Sequence, residues 1–380
     1  MRKETNKQSG RFVTVALQSL VVACAFQLSN ANASDGDSAV GAVYTMTNSS
    51  SGNAILAFDR KANGMLTAAG SYPTGGTGTG AGLGNQGAVV LSENNRWLYV
   101  VNAGSNDISV FAVRPDGLKL TDRVDAGGLK PVSLAVDREL VYVLNAGGNG
   151  NISGFSQRRN GHLEPLAGSA RTLSGAGTGP AQISFNPDGH VLVVTEKATN
   201  LIDTYLVDGD GLTSGPQPQS SVGTTPFGFS FDKRGHLLVS EAAGGASDAG
   251  SLSSYSVDEN GVLEVISASV PTTETAICWV VVTKNSKFAY VSNAGSGSLS
   301  AYRIAQQGTI TLRDADGRTA NTGTGSTPID IALSNDSHFI YTLNAGTHTL
   351  GAFEVQANGA LAPMTGIDGI TVGANGLAAY

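Results

Sequence analysis

The sequence predicts an all-β fold, a seven-bladed β-propeller of four-stranded antiparallel blades, on three observations. One motif returns seven times at blade-length spacing, apolar residues alternate or run for only four to six positions, and the C-terminus supplies a strand that the N-terminus lacks. The chain of 380 residues is 41% hydrophobic and 14% charged, which excludes a disordered or coiled-coil protein. Its 50 glycines are about 13% of the chain, where roughly 7% is usual, and they announce many turns.

The motif is clearest in YVVNAGSNDISVF (99–111), VYVLNAGGNGNISGF (141–155), AYVSNAGSGSLSAY (289–302) and IYTLNAGTHTLGAF (340–353). Weaker copies are VYTMTNSSSGNAILAF (43–58), LVVTEKATNLIDTY (192–205) and LLVSEAAGGASDAGSLSSY (237–255). The corner residue is therefore Asn48, Asn102, Asn145, Glu196, Glu241, Asn293 and Asn344, at successive gaps of 54, 43, 51, 45, 52 and 51 residues. A short apolar strand opened by Gly, Thr or Pro precedes each copy, as in GTGPAQISFNPDG (177–189), and a hairpin whose turn ends in glycine follows it. Each blade then reads as an inner strand A, a strand B ending at the corner, a strand C and an outer strand D. Blade 1 has no inner strand before it, while VGANGLAAY (372–380) ends the chain as one, so the C-terminal strand is expected to complete blade 1 and close the ring. In this alternation the D-to-A loops and B-to-C corners share one face, and the two hairpins of each blade share the other.

The basic opening MRKETNKQSGR runs into the apolar FVTVALQSLVVACAF, followed by QLSNANA, which reads as a signal peptide over residues 1–33, cut after Ala33. The rest, 34–380, is expected to be a single propeller domain, periplasmic or secreted. The rival reading is a lipoprotein anchored at Cys24, within Val21-Val22-Ala23-Cys24. Past residue 33 the chain holds 19 basic and 29 acidic residues, net −10, which argues against nucleic acid and anionic membranes as partners. Cys278 would be the one remaining cysteine, so no internal disulfide is expected. The sequence suggests no transmembrane span, no cofactor and a monomer, with a small molecule at the channel mouth as the candidate ligand.

Repetition around a ring makes the corner Asn a structural device, since Asn bonds local backbone and accepts a left-handed turn, as the following Gly does. Glu196 and Glu241 break that rule in adjacent blades. Two carboxylates there suit a general base with a partner, a pair sharing a cation through oxygen ligands, or a rim of solvated acids. Position three of strand A should face the channel, giving Ala88, Ser133, Gln182, Gly228, Trp279, Asp330 and Gly376. Gln182, Trp279 and Asp330 are the ones able to grip a ligand, with Trp279 alternatively a plug. The five histidines lack zinc spacing, so no catalytic zinc site is expected. GLGNQG (82–87) fits a dinucleotide-binding pattern by letter but precedes a strand, with no helix N-terminus to receive a pyrophosphate.

The repeat YVxNxxxxxIxxF, the frame GPxxxxFxPDG and the length of seven blades resemble the bacterial lactonase-type propellers, which include 6-phosphogluconolactonase and the carboxymuconate cyclases. Gly179, Pro180, Phe185, Pro187, Asp188 and Gly189 match the blade 4 frame, and Glu196 matches the acid of the following corner. The family's Arg-His pair after Gly-Pro is replaced by Ala181 and Gln182. Lys130 and Lys197 are the nearest cations by position. The resemblance implies a lactone hydrolase or cyclase: Glu196 as general base, Glu241 positioning water, and Gln182 with the corner asparagines Asn102, Asn145, Asn293 and Asn344 binding substrate oxygen, beside Lys197. The alternative is a non-catalytic extracytoplasmic binding or interaction propeller that keeps the scaffold alone.

Overall fold

Seven antiparallel sheets follow one another along residues 38–380, the part that the computed structural model describes. The signal-segment and Cys24 readings lie outside the described residues. Blade 1 pairs Leu66–Pro73, Ala54–Arg60, Gly41–Met46 and, as its inner strand, Asn375–Ala379. Blade 4 runs Pro180–Phe185, Val191–Glu196, Leu201–Val207 and Thr213–Ser220, and blade 5 runs Pro226–Phe231, Leu237–Glu241, Ser251–Val257 and Leu263–Pro271. Blades 3 and 6 break the outer strand into two short pieces, Leu163–Pro165 with Arg171–Thr172 and Ile310–Leu312 with Ala320–Asn321. Among the described residues no helix is long and apolar enough to cross a membrane.

Strand B is the apolar heart of each blade, because both of its faces pack against neighbouring blades. Val191–Glu196 is buried at every position, whereas the outer strand Thr213–Ser220 is mostly exposed. The repeated tyrosine of strand B buries its ring and sends its hydroxyl to the next blade. Tyr142 donates to the Gly211 carbonyl at 2.7 Å, Tyr290 to Gly359 at 3.0 Å and Tyr341 to Gly64 at 2.8 Å. An aromatic ring of that size buries about 150–250 Å², and each hydroxyl bond adds about 1 kcal/mol net. Tyrosine is therefore the residue that fastens one blade to the following one.

The corner works differently from its sequence reading. None of Asn102, Asn145, Asn293 and Asn344, nor the glycine two residues after each, has a positive φ. The left-handed residue is instead the one ahead of the inner strand: Lys130, Gly179, Thr225, Ala276 and Thr327. The corner's Ala and Gly amides donate into that loop, as Ala345 N does to Thr327 O at 3.0 Å and Gly346 N to Ser326 O at 2.8 Å. A Cβ on Gly346 would stand 2.0 Å from the Gly325 carbonyl oxygen, and one on Gly104 2.1 Å from that of Gly78. Close backbone approach, and not a left-handed turn, is what requires the glycine. In blade 1 the register position belongs to Thr47, whose amide reaches Ala54 O at 2.8 Å, and Asn48 follows it at φ 48°.

The C-terminal strand closes the ring as the sequence predicts. Its register runs from Val43 opposite Ala379 to Met46 opposite Asn375. Arg60 Nε donates to Tyr380 O at 2.9 Å, and the Tyr380 ring stacks on Tyr44 at 6.2 Å. Deleting residues 375–380 bares the edge of Gly41–Met46 and exposes the pocket of Leu377. The truncated chain is expected to lose about 3 kcal/mol or more, a fall of roughly 5 °C or more in Tm, read by circular dichroism. An unchanged Tm would show that closure is dispensable.

Candidate functional site

The channel mouth on the corner face is crossed by the loop 82–87. Gln86 spans from blade 2 to blade 6, where its Nε2 donates to Val280 O at 2.9 Å and its Oε1 accepts from Val280 N at 3.2 Å. The Gln86 amide also donates to Ala181 O of blade 4 at 3.1 Å. Asn85 Nδ2 donates to Val132 O of blade 3, and Asn85 O accepts the Trp279 indole N–H at 2.7 Å. Gly228 makes room for this bar, since a Cβ there would lie 2.2 Å from Gln86 Oε1. Trp279 thus acts as part of a plug, against Phe227 at a ring separation of 5.0 Å.

On the hairpin side of the plug, the inner strands line an open pocket of about 310 Å³ bounded by Gln86, Gln182, Ser184, Asp330 and aliphatic side chains. Both amide atoms of Gln182 are already engaged: Nε2 donates to Phe229 O at 2.9 Å and Oε1 accepts from Phe229 N at 2.7 Å. That replaces the free hydrogen-bond donor expected for an oxyanion with a bridge from blade 4 to blade 5. Asp330 accepts the Ile331 amide at 2.8 Å and the Leu377 amide of the closing strand. Burial pushes its carboxyl well above the usual carboxylate range, against the pull of those two amides.

The corner asparagines sit apart, one per blade, each donating to strand C of its own blade, and Asn102 also accepts from Asn53 and Thr74 of blade 1. Asn102 Nδ2 donates to Asp107 at 2.6 Å and Ser109 at 2.8 Å, and Asn293 Nδ2 to Ser298 at 2.9 Å and Ser300 at 2.8 Å. Asn145 donates to Ser153 at 3.2 Å, and Asn344 to Thr349 at 3.1 Å. They do not converge on a shared cavity.

Glu196 and Glu241 occupy the same corner position and are out of solvent, at 0% and 1% exposure. They share no hydrogen-bond partner. Glu241 accepts from Gly223 N at 2.9 Å, Ser251 and Ser253 Oγ at 2.5 Å each, and Ser269 Oγ at 2.8 Å. Glu196 accepts from Ser174 N at 3.1 Å, Ser174 Oγ at 2.5 Å and Thr199 Oγ1 at 2.6 Å. Its further neighbour is Asp203, a residue the sequence reading passes over. Asp203 stands in the strand C column that holds Ser109, Ser153, Ser253 and Ser300 in other blades, so blade 4 pairs acid with acid where they pair a corner side chain with a hydroxyl. Burial, and then the Glu196 carboxyl beside it, raises Asp203 to about 8, against the opposing Ser174 amide.

Lys197 follows Glu196 and lies half-buried at the mouth. Its Nζ donates to Gly84 O of the plug and to Pro180 O at 3.3 Å, and stands 4.8 Å from the centre of the Phe227 ring. Burial pulls its amine down to about 8; the Cys278 thiol opposes that pull and the charge of Lys130 adds to it. Burial pushes the Cys278 thiol up to about 12, which makes it inert as a nucleophile. Among the described residues, no three His, Cys, Asp or Glu side chains gather as a metal site needs.

Folding takes up a proton at Asp203. The folded carboxyl titrates near 8 and the unfolded one near 3.9, so this group's contribution falls as pH rises through that interval. Asp203→Asn, which keeps an acceptor for Ser174 N and a donor for Glu196, is expected to melt several degrees above the parent at pH 8 and to converge with it toward pH 4. An offset independent of pH would rule out the shared proton.

The fold has counterparts in solved structures. A Lactobacillus plantarum protein superimposes with a TM-score of 0.70 at 18% identity, over 90% of this chain and 99% of its own. A candidate 6-phosphogluconolactonase of Bacteroides uniformis gives 0.70 at 18%, over 88% and 98%. The periplasmic gluconolactonase of Pseudomonas aeruginosa gives 0.65 at 15%, over 88% and 98%. At such identities the likeness carries the fold alone. No curated protein matches the chain. The model of the lactonases with a seven-bladed β-propeller matches residues 38–175, 149–279 and 240–329, and the chain belongs to that family.

Proposed function

We propose that the protein hydrolyses a small lactone at the corner face of blade 4, with Glu196 as the carboxylate base. The observation that carries this reading is the geometry at Glu196, which accepts from the hydroxyls of half-buried Ser174 and exposed Thr199 and stands against a second acid, Asp203, whose carboxyl burial raises above the usual range. A carboxylate beside a proton-holding acid is the pairing that general acid–base catalysis near neutral pH needs. Lys197, beside Lys130, supplies positive charge for a carboxylate-bearing lactone where the family's Arg is replaced by Ala181. Glu241, held by four donors of its own, is assigned to the architecture of blade 5.

A second reading, a non-catalytic binding propeller, is favoured by the burial of both corner glutamates and by the loop crossing the channel. A panel of neutral and carboxylate-bearing lactones, followed by pH-stat titration, separates the two. Glu196→Gln is expected to lower kcat on the best substrate by about 100-fold or more. No turnover on any lactone by the parent favours the binding module, and equal turnover by parent and variant removes Glu196 as the base.

Export is part of the proposal, supported by the segment 1–33 and in keeping with the periplasmic setting named for the Pseudomonas aeruginosa gluconolactonase. The protein recovered from cells is expected to begin at Ser34. A start at a lipid-bearing Cys24 would establish the anchored form instead, and an intact Met1 would overturn export.

A further inference from the structure

The Glu196–Asp203 pair has a third member. Ser174, in the loop entering blade 4, places its Oγ 2.5 Å from Glu196 Oε2. Its amide donates to both acids, to Glu196 Oε1 at 3.1 Å and Asp203 Oδ2 at 3.2 Å, so the residue is held in place by the carboxylates it serves. We propose that Ser174, Glu196 and Asp203 form a nucleophile, base and positioning acid for acyl transfer, with an ester or lactone carbonyl as the substrate class. The assignment rests on the lactonase reading for its substrate and on geometry for its residues.

Three features separate this group from an ordinary buried latch. Ser174 is half-buried, and the residues after it, Gly175, Ala176 and Gly177, are exposed. A Cβ added at Gly175 or Gly177 would meet nothing within 4 Å, and their amides donate to no described acceptor. Open space and free N–H groups directly after a nucleophile are what a tetrahedral oxyanion requires. A second acid, Asp203, at 0% exposure, stands hydrogen-bonded against Glu196 where the latches of blades 2, 3 and 6 have a serine hydroxyl. Blade 5 supplies the contrast: its corner glutamate has Ser253 in place of the second acid, and two of its serine partners, Ser251 and Ser253, are buried.

The chemistry balances. Ser174 Oγ attacks the carbonyl carbon while its proton passes to Glu196 Oε2. The acyl C–O bond of the ring breaks, and the departing alkoxide takes that proton from Glu196. Water then attacks the acyl ester on Ser174, gives a proton to Glu196, and the proton returns to Ser174 Oγ as the hydroxy acid leaves. One water is consumed per lactone. Asp203 acts through Glu196 by fixing its orientation and lending it a hydrogen bond.

The test treats the folded protein with p-nitrophenyl acetate and with a fluorophosphonate, and reads intact mass and the modified peptide. Label on Ser174, lost in Ser174→Ala and reduced at least tenfold in rate in Glu196→Gln, is the expected result. Asp203→Asn is expected to shift the pH profile of labelling and leave the labelled residue unchanged, an effect that a merely structural Asp203 would not have. Each variant's melting curve verifies its fold. Absence of label on Ser174 in the folded parent, or label on another serine alone, overturns the inference. Lactone turnover that survives in Ser174→Ala also overturns it and leaves the lactonase reading standing. Label on Ser174 without turnover of any lactone supports the nucleophile and sinks the lactonase reading.

Discussion

Adjacent blades of this ring share no ladder of backbone hydrogen bonds, and the fold depends on side chains that cross the seams. Gln182 reproduces a strand pairing by itself, taking both the N–H and the C=O of Phe229. Ser133 Oγ accepts from Ile183 N at 3.1 Å, and Ser240 Oγ donates to Cys278 O at 2.5 Å. The strand B tyrosines do the same farther out. Each such bond is worth about 1 kcal/mol net, while an unpaired buried amide costs about 1–3 kcal/mol. The polar residues at the inner strands therefore hold the ring before they can hold anything else.

That constraint explains which sequence expectations succeed. A repeat spaced like a blade, with an inner strand missing at one end and present at the other, is a statement about closure, and blade 1 follows it. Gln182 reads as a ligand grip from the sequence because the pattern locates its Cα over the channel without saying what its amide meets. The letters of GLGNQG do not show Gln86 reaching Val280, 194 positions away in sequence. Glycines report permitted backbone, and the contact that uses the permission is tertiary. The same limit hid the role of the corner glycine, which a carbonyl oxygen from another loop decides.

Asp203 was legible in principle. Aligning strand C as closely as strand B puts it in a column of serines at 109, 153, 253 and 300. A repeat anchored on the corner singles out Glu196 and leaves the strand C column unread. Ser174 lies in a Gly-rich loop with no fixed register to the repeat, so only the fold brings it to Glu196. A catalytic reading of one acid thus depended on neighbours at distances of 22 and 7 residues, of which periodicity exposes the second alone.

Blades 4 and 5 solve one problem in two ways, and the difference carries the functional argument. Both place a glutamate where four other blades have Asn, inside a buried corner that must neutralise or satisfy it. Blade 5 surrounds Glu241 with three hydroxyls and an amide, and no second acid enters. Blade 4 sets Asp203 against Glu196, so that burial and the neighbouring carboxyl raise one acid above its usual range, an arrangement that opposes folding at neutral pH. The neighbouring blade demonstrates that this fold holds a corner glutamate without the second acid. Stability alone therefore gives no reason for Asp203, and a destabilising acid pair under a surface serine is the kind of arrangement that function accounts for.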